Sequence, residues 1–295
     1  MAAQNMPAAE VDIDERLVRR LLSDQHPDLA HLPLSLVANG WDNVIFRLGP
    51  DLTVRLPRHQ LAADLVVNEQ RWLPELAPRL SIPIPTPLRI GLPHDTFPWH
   101  WSVVPWFDGD VAADVALADP MVQAHRLGQF VAALHTPAPV DAPINAFLRG
   151  RPIAELRPRV VANIERLGAS IDGAAVEVRF DELTDVAHWS QDPVWLHGDL
   201  HSANVLVRDG AICAVIDFGD VTSGDPAVDL AIGWMLFDAD ARPAFRSSSG
   251  AIDDATWSRA QAWALHFALL YLLHSADNAR FTRMGTHLLE RLALG

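Results

Sequence analysis

A chain of 295 residues, 49% hydrophobic and 20% charged, can bury a core sufficient for one large domain or for two lobes, and it is too apolar to be disordered. Its formal net charge of −14 opposes nucleic acid and anionic membrane and favours cationic small molecules, or serves solubility alone. The single cysteine, Cys213, rules out a disulfide framework and a thiolate cluster and suits a reducing cytoplasm; its apolar surroundings read as a buried strand. The opening MAAQNMPAAE lacks the basic start and apolar core of a secretory signal. The longest apolar stretch, Ala262–Leu273, is interrupted by His266 and is too short to span a bilayer. All 23 basic residues are arginine; the chain has no lysine.

In chain order, Asp12 or Asp14 can cap a helix running to about Ser23, with Leu17, Leu21 and Leu22 as its apolar stripe. Leu34–Ala38, Val44–Leu48 and Leu52–Leu56 read as strands of an antiparallel meander, turned at Asn39-Gly40 and Gly49-Pro50-Asp51. Leu61–Leu76 reads as a helix closed by Pro78. The proline-rich segment 81–98 is an extended connector with a short strand near Leu88–Ile90. Trp101–Phe107 is a buried strand, and the break at Asp108-Gly109-Asp110 divides residues 1–107 from 108–295. Beyond it, Asp119-Pro120 opens a helix over Met121–His135, and 137–152 is a loop. Helices are expected over 153–167 and 179–190, and strands at Val194–Leu196, Asn204–Val207 and Ala211–Ile216. Further helices are expected over Pro226–Phe237, Thr256–Ala276 and about Arg283–Leu292. Strands dominate the first third and helices the rest, so the fold class is α+β with two lobes.

Three short blocks carry chemistry. Residues 197–204 read His-Gly-Asp-Leu-His-Ser-Ala-Asn, 215–219 read Val-Ile-Asp-Phe-Gly, and 224–229 read Gly-Asp-Pro-Ala-Val-Asp. The first fits the kinase catalytic-loop pattern and the second contains D-F-G. Phosphoryl transfer requires positioning and charge neutralisation more than covalent chemistry. One carboxylate must reach the acceptor hydroxyl, while a second carboxylate and a neutral oxygen hold Mg²⁺, whose coordination shell is otherwise water. The four residues separating Asp199 from Asn204, and the hairpin that follows, allow such a grouping with Asp217.

From Trp195 to Ala231 the chain resembles the aminoglycoside phosphotransferase family, whose members include macrolide, choline and homoserine kinases. Gly40–Leu48, Val54–Arg58, Asn68–Leu73 and Trp99–Gly109 resemble it as well. The resemblance implies a protein-kinase-like bilobal fold, with a small antiparallel-sheet N-terminal lobe that binds nucleotide and a mostly helical C-terminal lobe that binds substrate. By position it implies Asp199 as catalytic base or hydroxyl-orienting residue, and Asn204 and Asp217 as Mg²⁺ ligands. His197 and Asp229 would brace the catalytic loop, and Asp225 would cap the helix opening at Pro226. ATP or GTP would be the co-substrate, with adenine read by main chain near Phe107, since Pro105 lacks an N–H. The aromatics there, Trp99, Trp101, Trp106 and Phe107, are expected mainly to pack.

Two features depart from the family. The phosphate-binding lysine is replaced by Arg55, which would pair with Glu69; arginine keeps the charge but not the shape. Arg58 is a second candidate for phosphate contact. The cover loop, Asn39–Asn43, has one glycine and would contact phosphates through main chain. The segment after residue 237 should shape the acceptor site, offering Asp238, Asp240, Asp253, Asp254, Asp277 and Glu290 with Trp257, Trp263 and Tyr271. Scattered helix acids are more often a solvated face, and His266 and His274 read as packed polar residues. The expected acceptor is a small, cationic molecule, an aminoglycoside first; a macrolide or amino alcohol is the alternative, and a nucleotide-binding pseudokinase is the alternative of another class. Neither a nucleic-acid nor a membrane partner is expected.

Overall fold

The computed structural model describes residues 8–275 and 277–294. The chain groups into two compact units. One takes residues up to Pro78, Pro83–Asp108 and Asp217–Gly219; the other takes Arg79–Ile82, Gly109–Ile216 and residues from Asp220 onward. The grouping is therefore discontinuous in sequence, with Asp217–Gly219 in the first unit and the catalytic-loop block 197–204 in the second.

The first unit is a five-stranded antiparallel sheet with two helices. Helix α1 (Glu15–Gln25) starts where the Asp14 carboxylate accepts Leu17 N–H at 2.7 Å. Strands β1 (Leu34–Asn39), β2 (Asn43–Leu48) and β3 (Leu52–Pro57) form the meander, α2 (Gln60–Leu76) follows, and β4 (Arg89–Gly91) and β5 (Trp101–Pro105) complete the order β1-β2-β3-β5-β4. Side chains alternate across a strand. Along β3, Val54 and Leu56 join Val18, Leu21, Leu22, Phe46 and Trp101 in the core. Arg55 belongs to the alternate set, and it is buried too. Trp101 sets how closely β4 and β5 pack: a Cβ built on Gly91 would lie 2.0 Å from its indole. Gly91→Ala is therefore expected to destabilise this unit by about 1–3 kcal/mol, the usual range for overpacking, read as a lower midpoint in urea titration.

The second unit begins with β6 (Asp110–Val111) and α3 (Pro120–Leu134), capped by Asp119 with proline in the first turn. A 3₁₀ turn, Ile153–Leu156, leads into α4 (Arg157–Leu167), and α5 spans Gly173–Thr184. Residues 153–167 are therefore α-helical only from Arg157. The helix expected over 179–190 starts six residues earlier. Asp172 accepts Ala175 N–H at 3.1 Å, and Val176, Phe180 and Leu183 bury one face; beyond Thr184 the chain leaves the helix, and Ala187 O instead accepts from Arg259. Strands β7 (Val194–Leu196), β8 (Val205–Arg208), β9 (Ala211–Val215) and β10 (Thr222–Gly224) form two small sheets, β6-β8-β9 and β10-β7. Cys213, on β9, is half-buried rather than buried.

The helix expected over Pro226–Phe237 is two pieces, α6 (Ala227–Leu230) and α7 (Ile232–Leu236). The helix breaks at Ala231; Asp229 is wholly buried, and Trp234 packs tilted against Trp257 with ring centroids 4.3 Å apart. Helix α8 (Arg242–Ser248), unforeseen from sequence, follows. Helix α9 (Asp254–His274) is capped by Asp253 and buried on nearly every side, as befits the central helix of a unit. Ala276, the expected end of this helix, lies outside the described residues, as do the first seven residues of the N-terminal segment. Helix α10 (Ala279–Arg291) begins after Asn278, earlier than Arg283. No helix among the described residues is long and apolar enough to cross a membrane.

Candidate active site

The loop after β7 is held by one buried carboxylate. Asp229 accepts His197 N–H at 2.8 Å and Gly198 N–H at 2.9 Å, and faces His135 Nε2 at 3.1 Å. The His197 ring is fully buried; its Nε2 meets Ile216 O at 3.0 Å and its Nδ1 accepts Asp199 N–H at 3.2 Å. That pattern assigns the ring proton to Nε2. Gly198 has φ +83°, and a Cβ there would sit 2.3 Å from Asp220 O, so a side chain is excluded by space as well as by torsion.

Asp199 projects from this braced loop with its side chain 26% exposed. His201 Nε2 lies 3.4 Å from Oδ2 and Arg149 Nη2 lies 3.5 Å from Oδ1. Burial alone would raise the Asp199 pKa, but His201 and Arg149 outweigh it and hold the carboxyl well below the usual carboxylate range. His201 presents that nitrogen because its Nδ1 accepts Ala203 N–H at 3.2 Å, and its ring is edge-on to Tyr271 and Phe281. Arg149 lies over Phe267, 4.4 Å from the ring centroid. Asn145 shapes the segment that delivers it, accepting Phe147 N–H at 2.7 Å through Oδ1.

Asn204 donates from Nδ2 to Asp199 O at 3.0 Å and accepts Ile216 N–H on its own carbonyl at 2.9 Å. The chain is thereby fixed one residue before Asp217, which takes φ +63°, a left-handed conformation uncommon for aspartate. Asp225 accepts Ala227 N–H at 3.0 Å, as a cap would, and also binds Arg259 at 2.7 Å in a pair only 3% exposed on each side.

In the first unit, Arg55 joins Glu69 at 2.9 Å and Asp217 at 3.4 Å. Burial opposes the Arg55 charge, but Glu69 and Asp217 together raise its pKa, so the guanidinium stays charged. The Asp217 side chain is 57% exposed, whereas Glu69 is buried. Arg58 gives Nη1 to Gly40 O at 2.9 Å, so it clamps the β1–β2 loop, with Trp41 O a more distant acceptor at 3.4 Å. Trp106 N–H is taken by Asp51 O at 2.8 Å; Phe107 N–H, the next along the chain, has no hydrogen bond among the described residues. Of the neighbouring aromatics Trp99 and Trp101 are buried, while Trp106 and Phe107 are half-buried.

The model of the phosphotransferase enzyme family matches residues 33–263. The chain belongs to this family. Stress response kinase A of Escherichia coli (strain K12) is 28% identical over 193 residues, 63% of this chain and 52% of that protein; the chain thus spans about half the length of the curated relatives it matches. Among solved structures, the GDP complex of wild-type aminoglycoside 2'-phosphotransferase-IIIa is similar with a TM-score of 0.66 at 19% identity, covering 94% of this chain and 98% of that one. The apoenzyme of macrolide 2'-phosphotransferase MphH from Brachybacterium faecium has a TM-score of 0.59 at 24% identity, covering 92% and 97%. These likenesses establish the kinase-like α+β fold.

Several residues around the family motif escaped the sequence reading. Arg149 lies 50 positions before its partner Asp199, and Arg259 lies 34 after Asp225; neither spacing signals contact. His201 lies inside the motif, two positions after Asp199, and that nearness was the signal available for it. Of the acids after residue 237, Asp238 caps Ala241, Asp253 caps Thr256 and Asp254 pairs with Arg246, so these three have structural partners.

Proposed function

We propose that this protein transfers the γ-phosphate of ATP or GTP, as its Mg²⁺ complex, to a hydroxyl group of a small molecule. The observation that carries the reading is Asp199: a carboxylate kept ionised by His201 and Arg149, partly open, on a loop immobilised by Asp229. In the reaction the acceptor oxygen bonds to the γ-phosphorus while the bond to the β,γ-bridging oxygen breaks, and the hydroxyl proton leaves through Asp199 or water. A carboxylate held so far below its usual range is a weak base; its main contribution is to accept the hydroxyl's hydrogen bond and aim the oxygen.

Asn204 and Asp217 suit Mg²⁺, which takes hard oxygens and keeps several waters. Asn204 Oδ1 receives no hydrogen bond among the described residues, and the Asp217 carboxylate is exposed. Bound there, the ion would neutralise phosphate charge. Arg55, oriented by Glu69, would contact the phosphates, and Phe107 main chain would meet the base. His197, Asp225 and Asp229 would hold the loop. Intact Asp199, Asn204 and Asp217 weigh against a pseudokinase.

For the acceptor, the relatives named for aminoglycosides and macrolides and the overall charge of −14 support testing an aminoglycoside first, then a macrolide or amino alcohol. The test is incubation with Mg²⁺ and ATP or GTP across an acceptor panel, with mass spectrometry reading the gain of one phosphoryl group. A product absent from the Asp199→Ala protein supports the reading; nucleotide binding without any product would favour a pseudokinase. Arg55→Lys is expected to weaken Mg-nucleotide binding about tenfold, because a lysine point charge cannot reproduce a guanidinium fork held by two carboxylates. Unchanged nucleotide affinity and rate in titration and kinetics would remove Arg55 from the phosphate site.

A further inference from the structure

The chain is acidic as a whole, but one cavity in the second unit is basic. Its volume is about 270 Å³, and its walls include Arg149, Arg159, Arg166, His266, His274 and Asn163, with no aspartate or glutamate. Arg149 is the link to the chemistry, since the same guanidinium borders this cavity and lies 3.5 Å from the Asp199 carboxylate. Arg159 and Arg166, on the exposed side, form no ion pair or hydrogen bond among the described residues. Elsewhere on α4, and on the neighbouring α5, arginine is paired: Arg157 with Glu177 and Asp181, Arg179 with Glu182.

The buried side of the cavity also holds unused hydrogen-bonding capacity. His266 is 4% exposed and its Nδ1 has no partner; Arg149 Nε has none either. Burial, then Arg149 and Arg159, push the His266 pKa down to about 3, so the imidazole is neutral at ordinary pH and the positive charge of the cavity belongs to the arginines. Buried polar atoms without partners are uncommon in folded proteins and call for an occupant. Three guanidiniums and a neutral imidazole form a complement to an oxyanion, which binds arginine through charge-assisted and often bidentate bonds.

We propose that the acceptor carries an anionic group, a phosphate or a carboxylate, which binds in this arginine-lined cavity while the acceptor hydroxyl meets Asp199. The proposal rests on the phosphotransfer reading and narrows it: a polycation such as an aminoglycoside would meet like charge on the far side of Arg149. The net charge of −14 acts at long range and is screened within about 8–10 Å at ordinary ionic strength, whereas the cavity acts at contact.

Two measurements separate the proposal from the reading on which it rests. In the first, the full chain saturated with Mg·ADP is titrated calorimetrically with inorganic phosphate and, separately, acetate. Phosphate or acetate should bind, at least about tenfold more weakly to the Arg159→Gln/Arg166→Gln double variant, and equally well to Arg151→Gln, whose arginine lies outside the cavity. The tighter probe identifies the group. Equal affinity for parent and double variant, or binding of neither anion, overturns the proposal. In the second, sugar phosphates and hydroxy acids are compared with kanamycin and streptomycin as acceptors. Phosphorylated anionic acceptors, with kcat/KM falling about tenfold or more in the double variant, support it. Aminoglycoside turnover with kcat/KM undiminished in the double variant overturns it. Arginine-dependent anion binding with no phosphorylated product from any acceptor would uphold the cavity and sink the phosphotransfer reading.

Discussion

Asp199→Ala should lower kcat by about 10²–10⁴-fold while leaving the affinity for Mg-nucleotide nearly unchanged, the range expected when a positioned acid–base group is lost. The carboxylate is the polar group that His201 and Arg149 both address, so its removal leaves two donors without their acceptor and the acceptor hydroxyl without a guide. Asp199→Asn keeps the shape and loses the charge, and it should be nearly as inactive. The pH profile distinguishes orientation from simple base catalysis. A folded-state pKa below the ordinary value of about 3.9 keeps the group ionised throughout neutral and mildly acidic pH. Activity should therefore show no acidic limb from Asp199 above about pH 4. The same depression stabilises the fold above that pH and is lost as pH falls through the folded value. Arg149→Met removes the guanidinium that helps hold the carboxyl down, so its pKa rises and an acidic limb moves upward in the kcat/KM profile. Full activity in Asp199→Ala, or a limb unmoved by Arg149→Met, would contradict this account.

How much of this was visible in the sequence depends on the range of each interaction. The catalytic loop was legible because its spacing is local: Asn204 lies five positions after Asp199, and Asp217 thirteen positions after Asn204. The meander and α1 were legible from period-2 and 3.6-residue apolar patterns with caps such as Asp14. Helix α5 was misplaced because its first turn, Gly-Ala-Ala, has neither apolar weight nor helix propensity at Gly173, and its start is decided by the Asp172 cap. Helix α8 was missed because only Ala244 and Phe245 within it are buried, too few to make a periodic stripe. Arg149 was invisible for a different reason. It comes from a proline- and alanine-rich loop, and its position is set by contacts with Asp199 and Phe267, which the sequence places far away. Net charge is silent in the same way, since a sum over the chain contains nothing about where the arginines gather.

The largest effect on stability is expected from Arg259→Leu. Arg259 sits on α9 and donates from Nε to Asp225 Oδ2 at 2.7 Å, from Nη2 to Asp225 Oδ1 at 3.3 Å and to Thr256 Oγ1 at 3.0 Å, and from Nη1 to Ala187 O. The two charged side chains are each 3% exposed, so neither can turn to water when its partner is lost. Breaking such a pair from one side costs about 3–5 kcal/mol, mostly for the stranded charge rather than for the attraction itself. For a chain of this size that corresponds to a fall in Tm on the order of 10 °C. Asp225→Asn alone should destabilise as well, since it strands the guanidinium. The double variant Asp225→Asn/Arg259→Leu strands neither charge and should recover a substantial part of the loss, so the two single effects will not add. Because Asp225 N–H also bonds to Gly150 O at 2.8 Å, next to Arg149, the single variants should weaken catalysis beyond what unfolding explains. Thermal denaturation of the four proteins, with kcat measured well below each Tm, decides the matter. Additive losses in Tm would mean that the pair is not coupled, and an unchanged kcat would mean that the anchor at Asp225 does not position Arg149.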